Sequence, residues 1–222
     1  MYMMGNKYVA ILIKPLATEK QEKLIVEQKL ESILLDVLNR YHVEFVKNQK
    51  DDGYVCHMEL QPDCMDVIAY CFMRMHPYEA LYTLGMSVSQ NSESKAKEDA
   101  YQQAKTALKQ LGKMRKRRDY RELYIKVALP SENKALETAL NTIVLLDCDL
   151  QNHWTQKQRD IVFFGYFEEK NQKETAEYFK VSQPNVHQVL KKANYALYRD
   201  IRKSYKQIFE QITVVPKMSK KG

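Results

Sequence analysis

Apolar residues along this chain follow two periods, and the change from one to the other divides it. Tyr8 to Ile13 is apolar nearly throughout, as a strand interior to a sheet is. From Glu19 to Asn39, Leu24, Val26, Leu30, Ile33, Leu34, Val37 and Leu38 keep mostly to one helical face. Val43 to Val46 and Tyr54 to Leu60 read as strands of a hairpin, with Asp51-Asp52-Gly53 as the turn signal. Pro62-Asp63 opens a helix from Asp63 to Met75, stopped by His76-Pro77. Glu79 to Ser89 alternates as a strand, Lys95 to Leu111 is a helix ended by Gly112, and Glu122 to Ala128 is a last strand before Pro130. Such interleaving predicts an α+β fold: a split βαβ, ferredoxin-like sheet with helices on one face, over residues 1–129.

From Ser131 onward only the helical period remains. Ser131 can cap a connector helix over residues 130–153, with Leu136, Leu140, Ile143, Val144 and Leu146 apolar. An all-α domain follows at 154–213, and 214–222 is a basic tail. Thr155 caps its first helix, Glu168 to Asn171 is a polar break, and Gln172 to Phe179 is a second helix of only two turns. Lys180-Val181-Ser182 then makes a tight turn into a third helix that opens Gln183-Pro184, where proline in the first turn is harmless. Beyond it Ala193 to Ile212 holds neither glycine nor proline, so the helix is expected to continue. Leu190, Leu197, Ile201, Ile208 and Ile212 form an imperfect heptad stripe, able to pair in a homodimer or to fold back on the connector.

Composition excludes more than it assigns. At 222 residues, 45% hydrophobic and 28% charged, the chain is ordinary globular material, not a disordered or disulfide-scaffold protein. No apolar run approaches a membrane span, and the N-terminus is too short in apolar residues for a signal sequence, so a cytoplasmic location and no membrane partner are expected. Cys56, Cys64, Cys71 and Cys148 form no CxxC pair and read as free thiols. There is no phosphate-cradling glycine motif and no HExxH, so no cofactor is expected.

Charge is informative once divided. Residues 1–154 carry 21 basic against 21 acidic side chains, whereas residues 155–222 carry 14 against 7, so the whole net charge of +7 lies in the last third. Within the neutral part, Lys113, Arg115, Lys116, Arg117 and Arg118 form a local basic patch. Concentrated positive charge attracts a phosphate backbone through counterion release.

The helix-turn-helix reading is the most specific. Two helices joined by so short a turn pack only if the residue at their crossing is small and apolar residues anchor both sides. Ala176 is the small residue, with Phe179, Val181, Val186 and Leu190 as anchors. Gln183, Asn185, Gln188 and Lys191 are left on the outer face, with His187 and Lys192 at its margins, and these side chains suit hydrogen bonding to base edges in a major groove. The segment, with its T..QRDIV opening, ETAEYF.VSQPNV turn and KKANYAL exit, resembles region four of bacterial sigma factors and response-regulator helix-turn-helices. By that resemblance Gln183, Asn185, Gln188 and Lys191 read bases of double-stranded DNA, while Thr175, Ser182 and Lys192 hold phosphates. Lys180 departs from it, standing where these families place a left-handed glycine.

The strand order of the first domain is that of the palm used by nucleotide cyclases and polymerases, whose separated carboxylates hold two Mg²⁺ ions. Asp51 and Asp52 are the residual metal candidates, because the first strand ends Ile13-Lys14-Pro15 without an acid. As a whole, residues 7 to about 205 resemble the SatD family, through DAYQQAKTAL at Asp99 to Leu108, although that family's "GDI..SR" and "GDEFQG" acids are replaced by ILIKPLATEK and KDDGYVC. The resemblance implies a bacterial transcriptional regulator with a catalytically degenerate palm-like sensor or scaffold domain. A nucleotide-processing enzyme with a DNA-binding tail, or a module docking on RNA polymerase, are the alternatives.

Overall fold

A computed structural model describes residues 6–16, 19–77, 79–89 and 92–213. The basic tail at 214–222 lies outside the described residues. Five strands, β1 (Asn6–Pro15), β2 (Val46–Asn48), β3 (Gly53–Glu59), β4 (Ala80–Ser89) and β5 (Ile125–Ala128), form one sheet in the order β2-β3-β1-β4-β5. All neighbours are antiparallel except β4 and β5, so the first four strands have the ferredoxin-like order and β5 extends its edge. Val43 is buried ahead of β2 rather than within it, because the strand pairs only from Val46.

Central β1 is paired along both edges and buried on both faces, which explains its unbroken apolar run. Val9, Ile11 and Ile13 join the main core with helices α1 (Lys20–Tyr41) and α2 (Cys64–Met75). Tyr8, Ala10 and Leu12 pack instead on helix α3 (Glu93–Met114), through Ala96, Ala100 and Ala104. Helices therefore cover both faces, not one. The alanine stripe lets α3 approach the backbone of β4, where a Cβ on Gly85 would stand 2.1 Å from the Ala100 carbonyl oxygen.

Ser131 does not cap the connector; Ser131–Asn133 is a 3₁₀ turn, and helix α4 runs from Lys134 to Asn152. Its inner face is partly polar, with Leu146 turned to solvent and Asn141 turned inward. Asn141 Oδ1 accepts from the Val127 amide at 3.0 Å and its Nδ2 donates to the Val127 carbonyl at 2.8 Å, so a side chain closes the free edge of β5.

The last helices are α5 (Gln156–Tyr166), α6 (Gln172–Tyr178), α7 (Gln183–Lys192) and α8 (Tyr195–Thr213). The helix expected to run on from Gln183 breaks at Ala193-Asn194, with Asn194 left-handed at φ 53°. Asparagine visits that conformation with little strain, so no glycine was needed. The inner stripe of α8 is Tyr198, Ile201, Arg202, Tyr205 and Phe209 at spacings of three and four, while Leu197 of the heptad reading is exposed. This face packs on α4 and α2 within the chain. At the junction buried Arg202 pairs with buried Asp147, and its Nη1 donates to the Met65 carbonyl at 3.2 Å. The main hydrophobic core extends from β1 to α8 without a gap at residue 130.

Candidate nucleic-acid interface

Local capping sets the three helices that carry the predicted interface. Thr155 and Gln158 form a reciprocal capping box at α5, and Asn171 and Glu174 form another at α6. Ser182 Oγ accepts from the Asn185 amide at 3.4 Å and starts α7, with Pro184 in its first turn. Ile161, Ala176 and Val186 meet in a small buried core of their own, walled by Phe179, Val181, Val189 and Leu190.

The turn from α6 to α7 closes with Val181 N–H donating to the Ala176 carbonyl at 3.0 Å. Lys180 adopts the left-handed conformation, φ 52°, that glycine would take without strain. The turn therefore keeps the expected shape at a conformational cost.

Opposite Val186, Val189 and Leu190, the outer arc of α7 exposes Gln183, Asn185, His187, Gln188, Lys191 and Lys192. Among the described residues, Gln183, Asn185, Gln188 and Lys191 make no side-chain hydrogen bond or ion pair, so their donors and acceptors are uncommitted. Thr175 is different. It is 2% exposed and its hydroxyl donates to the Asn171 carbonyl at 2.7 Å, which withdraws it from the surface and corrects its assignment to a phosphate.

Beside α7 lies an open groove of about 890 Å³ whose walls include Lys170, His187, Lys191 and Arg199. Lys170 and Arg199 come from the α5–α6 connection and from α8, outside the motif, and only the general charge excess pointed to them. On the sheet domain, Lys113, Lys116, Arg117 and Arg118 are exposed. Arg115 is not part of that surface: it donates to the Leu123 carbonyl at 3.0 Å and to Glu79 at 3.1 Å while stacking over Tyr124. It fastens the end of α3 to the sheet.

Asp51 and Asp52 have separate partners. Asp52 Oδ1 accepts from Lys23 at 2.7 Å, which holds its carboxyl below the usual carboxylate range. Asp51 accepts from Tyr101 and pairs with Lys105 at 3.3 Å, both from α3. Among the described residues, no group of three or more His, Cys, Asp or Glu could hold a metal ion.

No protein-family model matches the chain. No curated protein matches it either. The crystal structure of a regulator of polyketide synthase expression from Bifidobacterium adolescentis is a weak structural neighbour, at 12% identity over 96% of this chain and 82% of that one. Its TM-score is 0.28. Among the described residues, no helix is long and apolar enough to cross a membrane.

Proposed function

We propose that the protein is a sequence-specific DNA-binding regulator of transcription in which α6 and α7 form a helix-turn-helix and α7 enters the major groove. The observation that carries this reading is the uncommitted polar arc of α7, set on a three-helix unit into whose small core the opposite arc packs through buried Val186 and partly buried Val189 and Leu190. Gln183, Asn185, Gln188 and Lys191 read base edges, His187 lies at the margin, and Ser182 and Lys192 hold phosphates. Lys113, Lys116, Arg117 and Arg118 supply a second, sequence-independent electrostatic contact. The resemblances to sigma region four and to the SatD family support the same assignment. The sheet domain serves as scaffold or sensor without metal-dependent catalysis, a reading favoured by the separate engagement of Asp51 and Asp52.

The test is selection of fragmented genomic DNA by full-length protein at near-physiological salt, beside a variant with Gln183, Asn185 and Gln188 all changed to Ala. Enrichment of a defined motif that the variant loses supports sequence reading, and a palindromic motif indicates a dimer. Equal, motif-free retention by both proteins reduces α7 to a nonspecific clamp. Retention by neither refutes DNA binding and transfers the surface to a protein partner such as RNA polymerase. On the selected site Asn185→Ala should cost about 1–3 kcal/mol, whereas Lys191→Ala should also flatten the salt dependence.

A further inference from the structure

A small cavity of about 180 Å³ lies where the sheet domain meets α5, and its chemistry differs from that of the α7 surface. Phe72 and Tyr124 supply aromatic walls, Glu79 and Glu122 acidic ones, and Arg159 of α5 a cation. Arg159 is only 3% exposed. Its Nη2 donates to the Gln151 carbonyl at 2.9 Å, its Nε has no acceptor, and it forms no ion pair among the described residues. A buried guanidinium with one carbonyl acceptor, no direct ion pair and only the through-space charge of Asp160 is costly, and an anion in the adjoining space would offset that cost.

The other groups narrow the anion. Burial and the charge of Arg159 hold the His76 imidazole below its ordinary pKa, which disfavours a second positive charge beside the guanidinium. Glu79 is already engaged by Tyr124 at 2.9 Å and Arg115 at 3.1 Å. The Glu122 carboxylate is exposed at the rim and makes no hydrogen bond or ion pair among the described residues. The volume corresponds to roughly six waters, well below a drug-sized pocket.

We propose that this cavity binds a small α-amino acid, its carboxylate on Arg159, its ammonium at Glu122 and its side chain against Phe72 and Tyr124. The walls come from both sides of a junction: α2, the strand edges and α4 on one, and α5 on the other. Gln156, in the first turn of α5, also meets His76 at 2.9 Å across it. Occupancy would therefore set how α5 sits on the sheet domain. Its consequence for DNA, a ligand-dependent change in operator affinity, rests on the function proposed above; the binding itself does not.

The test is calorimetric titration of full-length protein, without DNA, against the standard amino acids, amine-free carboxylates of matched size, and inorganic phosphate. The proposal expects one or more amino acids to bind with a Kd at or below roughly millimolar. Arg159→Gln should weaken that binding by roughly tenfold or more, and Glu122→Gln should weaken amino acids while leaving amine-free acids unchanged. The Arg159 Nε–H resonance of the unmodified protein should shift on saturation, which decides the matter if Arg159→Gln fails to fold. No binding by any acid, binding that neither variant alters, an unshifted Nε–H, or phosphate binding as tightly as the amino acids would each overturn the site. Equal binding of amine-free acids would overturn the amino-acid assignment. Motif selection failing while an amino acid binds would refute DNA reading alone, and the converse would refute this cavity alone.

Discussion

Removing one partner of the Arg202–Asp147 pair should unfold much of the protein, whereas removing both should not. Their side chains are 1% and 0% exposed, at the junction of α8 with α4. In Asp147→Ala the guanidinium keeps the Met65 carbonyl at 3.2 Å, the faces of Tyr205 and Tyr198, with centroids at 4.6 and 5.3 Å, and the field of Asp66, but loses its directly bonded carboxylate. In Arg202→Met the Asp147 carboxylate keeps only Gln151 Nε2, at 2.8 Å. An uncompensated buried charge costs about 3–5 kcal/mol, a large share of the roughly 5–15 kcal/mol that holds an ordinary domain folded. Replacing both, as Asp147→Leu with Arg202→Met, removes both charges of the pair and leaves Asp66 to its ion pair with Lys206 at 2.9 Å, and such swaps range from neutral to about 1–4 kcal/mol stabilising. The coupling between the two positions should thus be at least about 3 kcal/mol. Urea unfolding followed by tryptophan fluorescence reads this joint directly, because Trp154, the one tryptophan, lies 5.2 Å from the Tyr198 ring. If the double variant loses the sum of the single losses at an unchanged m-value, the charge-compensation argument is refuted.

Lys180→Gly should raise the unfolding midpoint, since relief of a left-handed lysine, about 1–2 kcal/mol, exceeds the added chain entropy of glycine, about 0.5–1 kcal/mol; a lowered midpoint would show that the lysine makes a contact worth more than the strain. Gly85→Ala should cost about 3 kcal/mol or more, because its methyl would meet backbone of α3; hydrogen exchange in α3 and β4 should accelerate first, and unchanged protection would contradict the close approach. All four cysteines are buried, with burial pushing Cys148 up to about 11 and Cys64 up to about 12 and raising Cys56 and Cys71 as well. None should react with a thiol reagent at about pH 8 until the protein unfolds. Above roughly pH 8.5 unfolded thiols ionise and buried ones do not, so stability should fall as pH rises, and a flat profile in denaturant midpoints would argue against burial.

Much of the fold was legible because period and turn chemistry agreed. The alternation of Glu79 to Ser89, the Asp-Gly hairpin signal and the caps at Thr155 and Ser182 all mark elements that form. The misreadings have specific causes. The inner face of α3 is built on alanines, which bury little area but permit backbone approach, so an apolar count gives no sign of its docking on the second face of the sheet. The true inner stripe of α8 runs through two tyrosines and an arginine, which an apolar count discards in favour of Leu197. The break at Asn194 has no glycine or proline to announce it. At the interface, the outer arc of α7 followed from helical spacing alone. The burial of Thr175 and the diversion of Arg115 depend on tertiary neighbours that spacing does not encode.

Helix α5 belongs to two cores at once, and this constrains how α7 can move. Its Ile161 meets Val186 of α7 in the small three-helix core, while Val162, Phe163 and, just past its last turn, Phe167 join the main core, with the Phe163 and Phe167 rings 5.2 and 5.3 Å from that of Tyr70 of α2. The C-terminal end of α7 is fixed a second time, by Trp154 Nε1 donating to the Ala193 carbonyl at 2.8 Å and by the buried face of α8 beyond it. Arg40 adds a surface tie from α1 to Glu168 at 2.7 Å and to the Phe167 carbonyl. With both ends of α7 anchored to elements packed on the sheet domain, α7 has little freedom to reorient alone. A shift of α5 against α2 must carry Ile161, and hence Val186, along with it, because close-packed cores transmit displacement instead of absorbing it. Any contact that repositions α5, whether a ligand at Arg159 or a second subunit, would therefore reach the polar arc of α7 without touching it.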